Sequence, residues 1–334
     1  MKFKRIIILT CVVLIITSAL MLCACKKDEE GYTLVVPDGA PALGIARVSD
    51  EISTDSVVYK LNKKIVPAST VNAEALKSDI AIVPANLASI LYNGGNDFKI
   101  LAVVTNGNLF LMSSQNTKIE GLDALSGKLV YSIGQNSVPD IIFKTLLKNN
   151  GINFKVGEKA EEGAVTIKYC ADGSEVNSAL ILAKEKGEQA YGVYAEPDVN
   201  KGKSAGLTEA FDIQKLWSED TDDAFSGYAQ AVLIAKSNVC EDSRFVAKLL
   251  EEVQANKSRI MQDAQLAENN IKSIYPQTSL KGNLNSEVIA RCNIDCISMK
   301  DGRDYYEKTL RAVMNINPKL IGGELPDDGF YYIS

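Results

Sequence analysis

The segment Asp79-Ile80-Ala81-Ile82-Val83 is apolar at every position after the first, and Pro84 follows it at once. A run this short suits a strand and not a helix. With no polar side to offer water, such a strand belongs inside a sheet covered on both faces, the habit of parallel sheets. Parallel strands need crossover connections, usually helices. Pro84 supplies one, opening a helix that ends at the Asn93-Gly94-Gly95-Asn96 turn. This single unit already points to an α/β fold.

The alternation recurs along the chain. Strand 33–36 ends in Asp38-Gly39-Ala40-Pro41, and a helix is expected over 42–48, with Pro41 in its first turn. Short strands are expected at 57–59 and 64–66. Thr70 then stands where an N-cap would begin a helix through residue 77, with Glu74 in its first turn. Further strands are expected at 98–104, 109–113, 128–132, 164–169, 189–194 and 228–235. Helices are expected at 140–149 and 174–186. After Asn238 the pattern turns helical, at 242–255, 257–274, 285–291 and 302–314. The chain divides into two blocks, each a mostly parallel, doubly wound sheet. It leaves the first near Asn106 and returns near Tyr228. That predicts a lobe made of 33–106 and 229–334, a second lobe made of 107–228, and a two-segment hinge with a cleft between.

The N-terminus bears on compartment. Lys2, Lys4 and Arg5 precede an apolar run over 6–22, the layout of a secretory signal. Leu22-Cys23-Ala24-Cys25 follows, then the charged stretch 26–30. A branched apolar residue three before a cysteine, with a small residue just before it, resembles a bacterial lipobox. On that resemblance 1–24 is removed, Cys25 carries lipid and 25–32 is a tether. Cys23 fits less well, because bulky Leu22 would sit at its cleavage position. An uncleaved membrane anchor is the alternative, for which the run is slightly short.

Composition excludes several classes. The chain has 36 basic and 42 acidic residues, and removing the basic signal makes the remainder more acidic still. An acidic surface argues against nucleic acid as a partner. There is no histidine. That rules out Ser-His-Asp and Cys-His catalysis and His-ligated zinc, and removes the commonest general base near neutral pH. No G-x-S-x-G motif is present either. No catalytic residue, metal or cofactor is expected. Cys170, Cys240, Cys292 and Cys296 can pair in three complete ways or remain buried thiols.

Taken together, the Cys25 site, the Asp38-Gly39-Ala40-Pro41 turn, Asp79-Ile80-Ala81-Ile82-Val83-Pro84-Ala85-Asn86, the Gly134-Gln135-Asn136 loop and Ala195-Glu196-Pro197 make the chain resemble the solute-binding proteins of ABC importers. The similarity is to the subfamily that includes nitrate, taurine and sulfonate binders and binders of thiamine-pyrimidine precursors, with a type II periplasmic-binding-protein-like fold. It implies a monomeric receptor on the outer face of the cytoplasmic membrane, closing on a small polar or anionic molecule and delivering it to a permease and its ATPase. The subfamily also includes enzymes that form the thiamine pyrimidine, using a cysteine-rich motif and a histidine that this chain lacks. A pyrimidine-forming or lyase-type enzyme and a permease-free surface sensor are the competing readings.

In open α/β sheets, ligands gather at the carboxyl ends of strands, where helix N-termini favour anions. This makes Asp38, Gly39 and Ala40, Ser69 and Thr70, Asn86, and Gln135, Asn136 and Ser137 ligand candidates. Gly39 would let the backbone approach a ligand closely. A plain turn, an N-cap at Thr70 and a solvated helix face at Asn86 are the competing readings. Tyr194 and Tyr228 can sandwich a planar ligand or pack the core and hinge, and Trp217 suits the core. Asp172 is a candidate for an amine. Arg291 is the best fixed charge for an anion, against a salt bridge within the protein.

Overall fold

In a computed structural model of the chain, the described residues are 30–55, 57–116, 119–221 and 227–333. The signal segment and Cys25 lie outside them. The strands are β1 (Glu30–Pro37), β2 (Glu51–Ser53), β3 (Val58–Val66), β4 (Ile80–Pro84), β5 (Phe98–Asn106), β6 (Leu109–Ser113), β7 (Leu129–Ile133), β8 (Phe154–Val156), β9 (Val165–Cys170), β10 (Tyr191–Ala195), β11 (Thr208–Asp212), β12 (Ala229–Lys236) and β13 (Ile294–Ser298).

They form two sheets, a seven-stranded one in the order β13-β5-β12-β4-β1-β3-β2 and a six-stranded one in the order β11-β6-β10-β7-β9-β8. The first draws on residues 30–106 and 229–298, the second on 109–212. In the first sheet β1 is parallel to β3 and β4, while β12 runs antiparallel between β4 and β5. In the second, β8, β9, β7 and β10 are parallel and β6 opposes β10. The reversals at β6 and β12 come where the chain crosses between sheets. This is a two-lobed α/β fold.

Side-chain alternation assigns each strand to its layers. In β4, Ile80 and Ile82 face one apolar cluster, with Leu249, Val253 and Ile271 of the helices Ser243–Gln262 and Ala264–Ile274. Ala81 and Val83 face another. That second cluster continues through Leu109, Leu111, Val130 and Val193 of the other sheet and through Ile141, Tyr305 and Leu310. The helices Val138–Asn149 and Met299–Ile316 therefore join the two lobes by a shared core. Phe110, Met112, Val176 and Leu180 fill the outer face of the second sheet.

The crossings are tightly bonded. Asn106 N–H and Asn106 Nδ2 both donate to Asn293 O, at 3.0 and 3.3 Å. Asn293 Nδ2 returns to Gly107 O at 3.1 Å. Gln214 bridges both backbone groups of Leu109, accepting from N at 2.7 Å and donating to O at 2.9 Å. Gly107 is a close-approach position: a Cβ there would come 2.6 Å from the Tyr228 ring.

Several local expectations are corrected. Strands 57–59 and 64–66 are one strand, β3, in which Lys63 takes the inward position between Leu61 and Ile65 and so interrupts the apolar alternation. The helix after β1 is only Ala40–Leu43, and the one after Thr70 is Val71–Ala75, without a side-chain cap. Strands β2, β8, β11 and β13 are additional. Among the described residues no helix is long and apolar enough to cross a membrane.

Candidate functional site

At the end of β1, Gly39 has φ 96° and a Cβ placed on it would meet nothing within 4 Å. The backbone here is open to close approach. Asp38 is committed elsewhere: Ser279 N–H donates to its Oδ2 at 2.8 Å and the Thr278 hydroxyl to its Oδ1. Its carboxylate thus holds the 278–279 segment against the turn. Ala40 is buried.

Ser69 and Thr70 are exposed after β3. The Thr70 hydroxyl bonds back to Pro67 O at 3.0 Å and caps nothing. After β4, Asn86 is buried and donates to Leu320 O at 3.2 Å. Tyr306 covers the same turn by donating to Ala85 O at 2.9 Å. The amide of Asn86 is therefore engaged with the C-terminal segment.

In the second lobe, Gln135 and Asn136 are exposed after β7. Gly134 and Asn136 both have φ 63°, a left-handed conformation that asparagine tolerates through its short polar side chain. Ser137 N–H donates to Gly134 O at 2.8 Å. Beneath the loop lies a cluster that spacing did not reveal. Asp140, fully buried, accepts from Asn136 N–H at 2.8 Å, Lys144 Nζ at 2.7 Å and the Tyr169 hydroxyl at 2.6 Å. Burial pushes the Tyr169 phenol far up, and the Asp140 charge adds to it.

Carboxylates also sit at the next two helix starts. Asp172 caps Glu175 N–H at 3.0 Å, while Glu175 accepts from Ala171 N–H at 2.6 Å. Glu196 accepts from Asn200 N–H at 3.0 Å. All three second-lobe turns at strand ends thus supply an acidic acceptor to backbone N–H groups in, or just before, the following helix.

Tyr194 and Tyr228 are fully buried. Tyr194 donates to Asn177 Oδ1 at 2.6 Å inside the outer core. Tyr228 packs in the hinge with the Trp217 ring edge-on at 5.8 Å. Neither ring is presented to a cleft.

Arg291 ends the helix Ser286–Arg291, whose Val288 and Ile289 pack in the first-lobe core. Its Nε donates to Glu196 Oε1 at 2.6 Å, its Nη2 donates to Glu209 Oε2 at 2.7 Å, and its guanidinium lies 3.9 Å over the Phe110 ring. Those three partners belong to the second lobe. Burial raises the Glu196 carboxyl above the ordinary range, with Arg291 working against that. Burial also disfavours the Arg291 charge, but the two carboxylates outweigh it and hold its pKa up. The charge is spent on the protein itself. Glu196 was visible as part of Ala195-Glu196-Pro197, but its partner is distant in sequence.

Cys170, Cys240, Cys292 and Cys296 are free thiols. Burial raises Cys170 and Cys240 to about 11 and Cys296 to about 12, so they are protonated and unreactive at neutral pH. Among the described residues no group of three His, Cys, Asp or Glu side chains is placed to hold a metal. Two open cavities, about 540 and 640 Å³, are lined by residues of the first lobe alone, among them Val48, Lys60 and Asn270 in one and Leu250 and Asp295 in the other. The larger pocket is the usual first guess for a binding site, but neither cavity is lined by the strand-end turns.

No family model and no curated protein matches the chain. Solved structures do. An ABC transporter protein from Parabacteroides distasonis superposes with a TM-score of 0.69 at 20% identity, over 91% of this chain and 99% of that one. The periplasmic aliphatic sulphonate binding protein of Escherichia coli gives 0.64 at 12% identity, over 92% and 93%. The ligand-binding component of an ABC-type import system from Staphylococcus aureus, a structure with zinc bound, gives 0.61 at 13% identity, over 91% and 97%. The chain therefore has the fold of the solute-binding proteins of ABC-type import systems.

Proposed function

We propose that this protein is the substrate-binding lipoprotein of an ABC importer, held by lipid at Cys25 on the outer face of the cytoplasmic membrane. It captures one small polar molecule between two lobes, 33–106 with 229–334 and 107–228, as a monomer, and presents it to a permease and its ATPase. The carrying observation is two sheets of the binding-protein fold joined by bonded crossings, with an unobstructed glycine backbone at Gly39 where the first strand ends. The absence of histidine from the whole sequence supports binding over the pyrimidine-forming or lyase-type alternative.

Among sulfonates, nitrate and pyrimidine-like molecules, the second-lobe turns favour the last. Asp140, Glu175 and Glu196 already offer acceptors to N–H groups that a bare anion would use, and Arg291 is paired. Fixed carboxylates beside these turns repel an anion such as nitrate more than an uncharged pyrimidine-like molecule. A thermal-shift panel of sulfonates, nitrate, amino acids and pyrimidines on the mature protein tests this. A pyrimidine-like compound is expected to stabilise it more than nitrate, and chemical turnover of the hit would establish the enzyme reading instead. Membrane fractionation of Cys25→Ser, expected to release the protein or leave it unprocessed, tests the anchor.

A further inference from the structure

Bonds between the lobes continue outward from Arg291. Asn283 Nδ2 donates to Pro197 O at 2.6 Å, and Asn200 Nδ2 donates to Asn283 Oδ1 at 3.1 Å. Lys201 Nζ donates to Ser279 O at 3.0 Å. Residues 278–283 are in turn fastened to the first-lobe turn through Asp38, by Ser279 N–H at 2.8 Å. One path of side chains therefore runs from the turn after β1, through residues 278–283, to the helix Asp198–Ser204 that follows β10. Asp38 starts this path, and Arg291 bonds Glu196 and Glu209 beside its far end; both are first-lobe candidates for ligand contact.

We propose that Arg291 is a positioning residue that clasps the lobes in one mutual orientation, so that ligand entry requires its ion pair with Glu196 and Glu209 to break. The inference rests on the two-lobed capture reading for its purpose, but not for its physics. An arginine fork engaging two carboxylates while stacked on a ring has directional demands that a lysine ammonium lacks. Such a pair adds little net stability once desolvation is counted. Its effect is to select one inter-lobe angle. The shared apolar core at the helices Val138–Asn149 and Met299–Ile316 joins the lobes independently, so losing the clasp widens the range of angles without separating the lobes. While the clasp holds, the arrangement open to ligand is populated only part of the time, which weakens apparent affinity by that fraction, and losing the clasp removes that cost.

The test is small-angle scattering on the purified, ligand-free mature protein, wild type beside Arg291→Ala, Arg291→Lys and Glu209→Gln, at low and high salt, each checked by circular dichroism. The clasp predicts a shift to a larger radius of gyration for Arg291→Ala and a smaller shift for Arg291→Lys and Glu209→Gln. If Arg291→Ala does not fold, the other two variants decide. Folded variants that all scatter like the wild type overturn the proposal. Because no ligand enters this experiment, its outcome is separate from that of the ligand panel.

Discussion

Arg291 Nε meets Glu196 Oε1 at 2.6 Å, joining a helix packed on the first sheet to the end of a strand in the second. The Glu196 side chain has no solvent exposure. Arg291→Ala therefore leaves a buried carboxylate without its cation, a change that costs about 3–5 kcal/mol where the site cannot open to water. The pH dependence follows from burial, which raises Glu196 in the native state. A carboxyl with a raised native pKa favours the fold below its unfolded value and loses that contribution as pH rises through the native pKa. Without Arg291 the native pKa rises further. The loss should be largest near neutral pH and shrink toward acid pH. Denaturant unfolding across that range checks it, and a loss independent of pH contradicts it.

The buried pair Asp140–Lys144 under the 134–137 loop behaves by the same rule. Asp140→Ala strips partners from Asn136 N–H, Lys144 and Tyr169 together. It should cost about 3–5 kcal/mol, while Asp140→Leu with Lys144→Met should cost much less. Chemical denaturation of the single and double variants decides. Additive losses would show that the two charges do not interact.

Arg259 grips Glu252 with both terminal nitrogens, at 2.6 and 3.0 Å. Chiefly through these bonds, it holds the Glu252 carboxyl below its usual range. Stability from such a depressed carboxyl is present above the unfolded value, about 4.3, and lost as pH falls through the native one. Both side chains are partly exposed, so Arg259→Gln should cost no more than about 1 kcal/mol near neutral pH, and close to nothing at strongly acid pH. Melting curves at the two extremes measure the difference.

Gly39 separates backbone strain from ligand access. At φ 96° any side chain is strained, by about 1–3 kcal/mol, and a Cβ meets no protein atom within 4 Å. Gly39→Ala should thus lose little beyond this strain, and Gly39→Val somewhat more, since a branched side chain tolerates such a φ less well. For a ligand seated on this backbone, Val should weaken binding far more than Ala. Calorimetry with the hit from the panel measures this, and equal binding by both variants would move the ligand elsewhere.

What the sequence displayed depended on the range of each interaction. Strand β4 was legible because burial on both faces leaves an unbroken apolar run. The crossings near Asn106 and Tyr228 were legible as short links between strands. Strand β11 was not, since Thr208–Asp212 is half-buried throughout and has no alternation. Strand β13 was hidden among helices by Asp295 and Ser298. At the site, Gly39 stood out because a turn after a strand requires it. Arg291 stood out as a charge, but its partners lie 95 and 82 residues away, and no local spacing shows that. Tyr194 resembled a cleft aromatic only because it ends a strand, and its burial behind the second sheet depends on the helix Gly173–Glu185 packing over it.

The central claim is capture of one small molecule between the lobes, and native mass spectrometry of the mature protein with the panel's hit tests it most directly. Hydrogen exchange on the same complex locates the site. The account predicts one ligand per chain, released unchanged, with new protection at both 38–40 and 134–137. Protection confined to one lobe, or a ligand that leaves chemically altered, would contradict it.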